Sequence, residues 1–569
     1  MDIIATVGLM SQPKMPFQVL LSIIKLEIVA YLTMLHRVTT TNKIIMRNKT
    51  SILDCTFRDG GYVNDWGFSQ LQFNKIVDSL DHSNIDIIEF GYLDNNRGLD
   101  NNSTLFDSIC SVDRLLSGRS YSAIKVVMID LFAFDIESLP KCVDTKIDGI
   151  RLAFHKRNLD HAIIAAKKLI NLGYKVFFQP MVTKLYTERE FLSLIGKANG
   201  LDIYAFYIVD SFGSMSLIEF RQYVDLANCN LDSGIKLGYH SHNNMQLAFS
   251  NAIDLCNMQL DREVIIDSSI YGMGRGAGNL NTELIADYLN SQYEKKYNVL
   301  PLLEVIDEIL AYYFKKQPWG FSPAQYLSAS LDCHPNYASY LVDKKTTHIA
   351  DIQKVLEKIP LNNRASFDEQ IVDDLYRQFL LNNNSNAQGK ISIPAEKQVL
   401  LIASGYSVAD NLEVIKQKVE IGNYFVIALN HKPQFDCDYY FFSNQQRFDE
   451  FKEQLPIEKQ FVTTNIKHNQ KIGIVIELKD IAFIENDFIT NVAILMINYL
   501  IAQNIEQIEI AGLDGYQVGK SNYAYDETNI PDSESLFFEL NQVVESSLKA
   551  LKSSINIKFI TPSAYEDIL

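Results

Sequence analysis

Basic stripes, paired cysteines and clean apolar spans are what this 569-residue chain has least of. The formal net charge is −17 and no run of Lys or Arg forms a patch, which excludes nucleic acid as the main partner. The seven cysteines are scattered, odd in number and contain no C-x-x-C pair. That excludes a disulfide framework and points to reduced thiols in a cytoplasmic protein. The longest apolar stretch, Phe17–Leu35, carries Lys25 and Glu27 in its middle and no small-residue cleavage site follows it. Residues 1–45 therefore read either as an extension ahead of a natural start at Met46 or as a membrane-associating helix.

What the chain does have is core: 47% of residues are hydrophobic, so its length predicts two or three globular domains. From Ser51, eight short apolar runs alternate with amphipathic segments such as Ser69–Leu80, Asp160–Leu172 and Glu188–Asn199. The runs are Ile52–Arg58, Ile85–Tyr92, Ile124–Ile129, Gly149–Phe154, Lys175–Pro180, Ile203–Val209, Ile235–His240 and Val264–Ser269. Eight β-then-α units predict a TIM (β/α)8 barrel over residues 46–290, whose working groups stand at the C-terminal ends of its strands.

Those ends are polar. The first run closes on Arg58-Asp59-Gly60-Gly61-Tyr62, and the seventh on His240-Ser241-His242. Residues i and i+2 of a strand point the same way, so the two imidazoles converge, and with a carboxylate they make a divalent-metal site. Between them stand Glu89, Arg151, His155, Gln179, Asp210 and Ser211, and the eighth run opens into a glycine-rich loop, Gly272–Asn279. Glu89, Arg151 and Gln179 suit a buried polar network as well as a substrate contact.

The R-D-G, H-S-H and G-A-G-N-L-N-T-E segments resemble the metal-dependent lyase and synthase superfamily that includes hydroxymethylglutaryl-CoA lyase, isopropylmalate synthase and, nearest, 4-hydroxy-2-oxovalerate aldolase. The resemblance implies metal ligands at Asp59, His240, His242 and Asn279, and an enolate-stabilising Arg58. It implies proton transfer at Tyr62 or His155, with Tyr239 a further candidate, and substrate contacts at Ser211, Gln179 and Arg151. The metal would be Mn²⁺, Mg²⁺, Co²⁺ or Zn²⁺ and the substrate a 2-oxo acid. Departures are plain: R-D-G-G-Y replaces R-D-G-E-Q, the loop lacks a cysteine, and Tyr62 stands where the aldolases place a histidine base. A tyrosine, with an ordinary pKa of about 10, needs a nearby cation to serve as one.

Residues 291–380 read as a helical extension, with helices at Leu302–Phe314, Pro323–Leu331, Ile349–Lys358 and Phe367–Leu380 and an aromatic patch from Trp319 to Tyr337. The polar tract from Leu381 leads a linker over 381–397. An α/β pattern then restarts over 398–569, with strands at Val399–Ala403, Tyr424–Leu429, Tyr439–Phe442, Phe461–Thr464, Ile472–Ile476, Gln507–Ala511 and Ile557–Ile560. Its L-L-I-A-S-G-Y-S and I-A-G-L-D-G-Y segments resemble the Rossmann-like domains of bacterial sialyltransferases. That resemblance implies a nucleotide or nucleotide sugar near Ser404, Gly405, Ser407 and Asp514. The expectation as a whole is a homo-oligomeric, metal-dependent aldolase-type lyase. The alternatives are a Claisen-type acyl-CoA synthase or a non-catalytic surface-glycan assembly protein.

Overall fold

The computed structural model describes residues 50–568, apart from 96–101, 294–295, 345–347, 382–386, 422, 470, 485–486, 518–521 and 524–533. The expectations for residues 1–45, Phe17–Leu35 included, lie outside the described residues. No described helix is long and apolar enough to cross a membrane. The chain forms two compact units that part between Tyr313 and Phe314.

The first unit is a closed barrel of eight parallel strands. They are β1 (Thr50–Asp54), β2 (Ile87–Leu93), β3 (Ile124–Asp130), β4 (Gly149–Phe154), β5 (Lys175–Pro180), β6 (Ala205–Asp210), β7 (Lys236–Ser241) and β8 (Val264–Ser268). β1 pairs with both β2 and β8, which closes the ring. All eight expected strands are present, most within two residues of their expected ends. β1 stops early, at Asp54, so Arg58 and Asp59 sit on the turn beyond it.

Strand alternation lays two tiers inside the barrel. Ile87, Val126, Phe177, Ala205 and Ile265 pack into one buried apolar cluster with Leu53. Two residues further along their strands stand Glu89, Gln179, Tyr207 and Asp267, joined by Arg151 and His240. An apolar floor thus lies beneath a polar tier, both generated by one period-two pattern.

Helices follow most strands, several fixed at their starts by reciprocal capping boxes: Ser69 with Gln72, Thr187 with Glu190, Ser216 with Glu219. The β3–β4 connection has just two short 3-10 turns, Ile136–Ser138 and Cys142–Asp144, on either side of Pro140.

The second unit is built on a seven-stranded, wholly parallel sheet. Its strands are β9 (Gln398–Ile402), β10 (Tyr424–Leu429), β11 (Tyr439–Phe442), β12 (Gln460–Thr463), β13 (Ile474–Ile476), β14 (Gln507–Ala511) and β15 (Asn556–Phe559), in the order β13-β12-β11-β10-β9-β14-β15. Both faces are covered. Val399, Leu401 and Ile427 face a core shared with helices Pro335–Asp343, Ile349–Glu357, Glu369–Leu381 and Val492–Ala502; Leu400, Ile402 and Val426 face the opposite core.

The segment read as one helical extension therefore divides. Leu300–Tyr313 goes with the barrel, while the later helices are part of the second unit's core. The tract read as a linker is partly structured: Gln388 bridges to Val475, and Ile391 is buried in the same core. Helix Pro335–Asp343 replaces what the sequence offered as part of an aromatic patch; Tyr337 packs inward from it, its hydroxyl donating to the carbonyls of Asn363 and Ser366.

Candidate active site at the barrel mouth

The turn after β1 carries Arg58 and Asp59, and its shape accounts for the second glycine of R-D-G-G-Y. A Cβ at Gly61 would fall 2.1 Å from the Trp66 indole. That indole in turn donates from Nε1 to the Arg58 carbonyl at 2.8 Å. A glutamate at this position would expel Trp66 and release the turn.

Asp59, His240 and His242 are buried, and one ligand atom of each lies within 4.8 Å of the others. Asp59 Oδ2 stands 3.8 Å from His240 Nε2 and 3.8 Å from His242 Nε2. This oxygen has no hydrogen-bond partner. Asn279 joins from the loop after β8: it bridges to His242, donates from Nδ2 to the Met273 carbonyl, and leaves Oδ1 buried and unpartnered. Two imidazole nitrogens and two unclaimed oxygens are a donor set that fits a divalent cation.

The electrostatics keep the donors in ligand form. Burial pushes His242 down to about 3, against the pull of Asp59 and with help from the charges of Arg275, His240 and Arg58, so the ring is neutral at ordinary pH. Burial would raise the Asp59 carboxyl, but Arg58 first, then His242, His240 and Arg275, outweigh it and hold the group well below the usual carboxylate range.

His240 is aimed by Asp267 on β8, whose Oδ2 accepts from Nδ1 at 3.0 Å and so leaves the Nε2 lone pair free toward Asp59. Asp267 also accepts from Tyr207 OH at 3.1 Å and from Arg151 Nη2. Glu89 accepts from Arg151 Nη1 and, at 3.0 Å, from Arg58 Nε. Arg58, Glu89, Arg151 and Asp267 thus alternate in sign across the polar tier and end on His240.

Residues 143–308 match the HMGL-like family model. The barrel is an HMGL-like domain. The chain is accordingly an enzyme of the lyase type. It is 26% identical over 275 residues to a 4-hydroxy-2-oxovalerate aldolase of Carboxydothermus hydrogenoformans, covering 47% of this chain and 78% of the relative. It is 25% identical over 242 residues to an oxaloacetate decarboxylase of Mycobacterium tuberculosis, covering 41% of this chain and 68% of the relative. Among solved structures, the N-terminal domain of a proposed aldolase from Bacteroides vulgatus aligns with 27% identity and a TM-score of 0.46, over 51% of this chain and 96% of that one.

Within the HMGL-like barrel, two residues expected to touch substrate do not stand free to do so. Arg151 is fully buried, and Nη1, Nη2 and Nε are all engaged by Glu89, Asp267 and Gln179. Gln179, 2% exposed, lies with its amide 2.5 and 2.7 Å from Arg151 Nη2 and Nε, donors that require its oxygen on that side. Both hold the network. Ser211 accepts from the Val182 amide at 3.0 Å and shapes the β5 loop, keeping its own proton to donate.

Tyr239 is excluded as a proton-transfer group by strand parity. It points away from His240, packs on Phe220 with ring centroids 4.4 Å apart, and accepts at its hydroxyl from Asn251. Tyr62 is 37% exposed, its hydroxyl 3.4 Å from that of Tyr92, with the Arg275 guanidinium 5.3 Å from its ring centroid. His155 follows β4 directly and is half-buried; burial, then Arg157, lowers its pKa.

Asp267 is the functional residue that the sequence left unmarked. A lone acid in an otherwise apolar, fully buried strand was its one signal. Asp130, at the end of β3, is a further carboxyl at the barrel's strand ends, and burial pushes it up to about 6.

In the second unit, the four residues expected to meet a nucleotide come together at the turn after β9, where they also bond to one another and to their neighbours. Asp514 accepts from both the amide and the hydroxyl of Ser407, and the Ser407 and Thr561 hydroxyls are hydrogen-bonded at 2.8 Å. A Cβ at Gly405 would lie 2.3 Å from the Gly512 carbonyl and 2.6 Å from Asp514 Cγ, so this glycine admits the chain's own carboxylate. A phosphate at the turn would face that carboxylate. The cavity beside Ser404 and Gly405 measures about 60 Å³, below the roughly 300 Å³ of a small-molecule pocket, whereas the one on the Ser407 and Asp514 side measures about 430 Å³.

Proposed function

We propose that the barrel is a divalent-metal-dependent lyase that breaks or forms the carbon–carbon bond beside the carbonyl of a 2-oxo acid. The reading rests on one observation above all: the unclaimed lone pairs of Asp59, His240 and His242 converge in a buried site next to a buried arginine. Asp59, His240 and His242 would hold the ion, with Asn279 as a further ligand, and Mn²⁺, Mg²⁺, Co²⁺ and Zn²⁺ all suit such donors. When bound, the ion supplies a Lewis acid to the substrate carbonyl.

The chain's own groups supply the rest. Arg58 is fixed by Asp59 and Glu89 yet keeps Nη2 buried without a partner. That donor is preorganised for an oxygen on which negative charge grows. For a 4-hydroxy-2-oxo acid, Tyr62 or His155 takes the proton of the 4-hydroxyl and the C3–C4 bond breaks. Its electron pair moves into a C2–C3 double bond, charge passes to the carbonyl oxygen and the aldehyde leaves. A proton returned to C3 gives pyruvate, and the reverse sequence forms the bond. Decarboxylation of a 2-oxo diacid passes through the same enolate. The M. tuberculosis relative's printed name favours it as a second reading, told apart by release of carbon dioxide instead of an aldehyde.

The test is exchange of the C3 protons of pyruvate with deuterated water, followed by proton NMR, with metal removed and restored. It needs no aldehyde. We expect metal-dependent exchange, slowed about 100- to 1000-fold by Arg58→Ala, the usual effect of losing one oxyanion donor. A panel of 2-oxo acids showing no metal-dependent exchange would sink the proposal.

A further inference from the structure

We propose that Arg275 matches the charge of this site to a doubly charged enolate, and so favours the enolate over the 2-oxo acid from which it forms. The inference rests on the 2-oxo acid reading and extends it to a residue that neither the motif nor the ligand set singles out.

Arg275 lies in the glycine-rich loop after β8, on a turn closed by the Gly278 amide donating to its carbonyl at 3.0 Å. Its side chain is half-buried over the Tyr62 ring. Nε is buried without a partner, and with the described residues the side chain makes no ion pair. Arg58 and Arg151, by contrast, are both held by carboxylates. A guanidinium donor withdrawn from water and left unpaired is costly, and an arriving anion relieves that cost. Its guanidinium lies 5.3 Å from the ring centroid of Tyr62, three residues past Asp59, and its charge is felt at both Asp59 and His242.

Charge balance says which anion. In the buried tier Asp59, Glu89 and Asp267 are opposed by Arg58 and Arg151, leaving one negative charge. A divalent ion turns that into one positive charge, which suits a 2-oxo acid with its single carboxylate. Arg275 adds a second. The enolate carries two negative charges, on the carboxylate and on the former carbonyl oxygen. A site with Arg275 is neutral around the enolate and over-positive around its precursor, which is differential stabilisation of the charge-developed state.

Full-length, metal-loaded protein and its Arg275→Gln and Arg275→Lys variants separate the possibilities by calorimetry. Oxalate serves as a stable planar dianion shaped like the enolate, and pyruvate as the monoanion. We expect Arg275→Gln to lose about tenfold or more affinity for oxalate beyond whatever it loses for pyruvate, with Arg275→Lys recovering part and metal content unchanged. Equal losses for both ligands, or none, would overturn the proposal. A fall in metal content would also overturn it, because Arg275 would then belong to the architecture of the cluster. If the unaltered protein binds neither ligand, the 2-oxo acid reading itself fails, and the role of Arg275 with it.

Discussion

Both units end a set of parallel strands in a mouth lined with polar side chains, and the two mouths are finished in opposite ways. At the second sheet, where chain order reverses between β9 and β14, Asp514, Ser407, Thr561 and the Gly512 amide satisfy one another. At the barrel, Arg58 Nη2, Asp59 Oδ2, Asn279 Oδ1 and Arg275 Nε are buried and unsatisfied, all on the turn after β1 or the loop after β8. Buried polar atoms are nearly always paired, so a cluster of orphans marks where something else completes the structure. A mouth that completes itself has less to offer a ligand of the same charge. Position at the ends of parallel strands is shared by both; unmet bonding capacity distinguishes them.

The sharpest way to break this contrast is to remove a ligand. His240→Ala or Asp59→Ala is expected to abolish stoichiometric metal, read by elemental mass spectrometry, while circular dichroism shows the barrel still folded. Full occupancy in either variant would mean that the orphaned atoms do not form the site.

A smaller effect is expected one bond further out. Asp267→Asn keeps size and burial but exchanges the acceptor that fixes His240 for an amide, and metal affinity should fall about 10- to 100-fold. Titration with a fluorescent chelator as competitor reads it. An unchanged affinity would reduce Asp267 to packing.

A separate effect, on stability rather than on metal, belongs to the second mouth. His431, just past β10, is 2% exposed, and burial pushes it down to about 4. It is neutral in the folded state, whereas the unfolded chain takes up a proton below about pH 6.5. Its contribution to stability is therefore constant above that pH, falls as pH drops toward 4, and levels off below. The full loss is about 3 kcal/mol. Hydrogen-exchange protection of β10, corrected for intrinsic rates and compared at pH 7 and pH 5, should fall in the parent and much less in His431→Gln. Equal pH sensitivity in the two would show that His431 is not the group responsible.

Much of this was legible in the chain. Short unbroken apolar runs placed the strands, because a strand buried on both faces needs one; the barrel strands came out within about two residues of their expected ends, β1 excepted. Arg58-Asp59 and His240-x-His242 were legible because their chemistry is carried by neighbours in sequence. The same parity argument that aligns His240 with His242 turns Tyr239 outward, so its exclusion was within reach.

Arg151, Gln179 and Asp267 were not legible in the same way. Each has its meaning from partners on other strands, such as Arg151 on Glu89 and Asp267, and no spacing along the chain encodes a contact across a barrel. Asp514 was legible as a mouth residue but not as the occupant of the place assigned to a phosphate. That depends on how close Gly405 lets two turns approach.

The alternating line of Arg58, Glu89, Arg151 and Asp267 bears on how such a protein can change over generations. Glu89 and Asp267 each serve two cationic or imidazole partners, and Arg151 joins them. Replacing any one member by a neutral residue strands at least one charge in the interior, at about 3–5 kcal/mol. A domain holds about 5–15 kcal/mol in all. Single substitutions along the line therefore take a large share of that margin even where the chain still folds, and descent through stable intermediates keeps the four together or exchanges them in concert. The outer wall of the mouth, where Tyr62 and Arg275 are only partly buried, carries no such folding constraint, and there the limit on change is catalytic rather than structural.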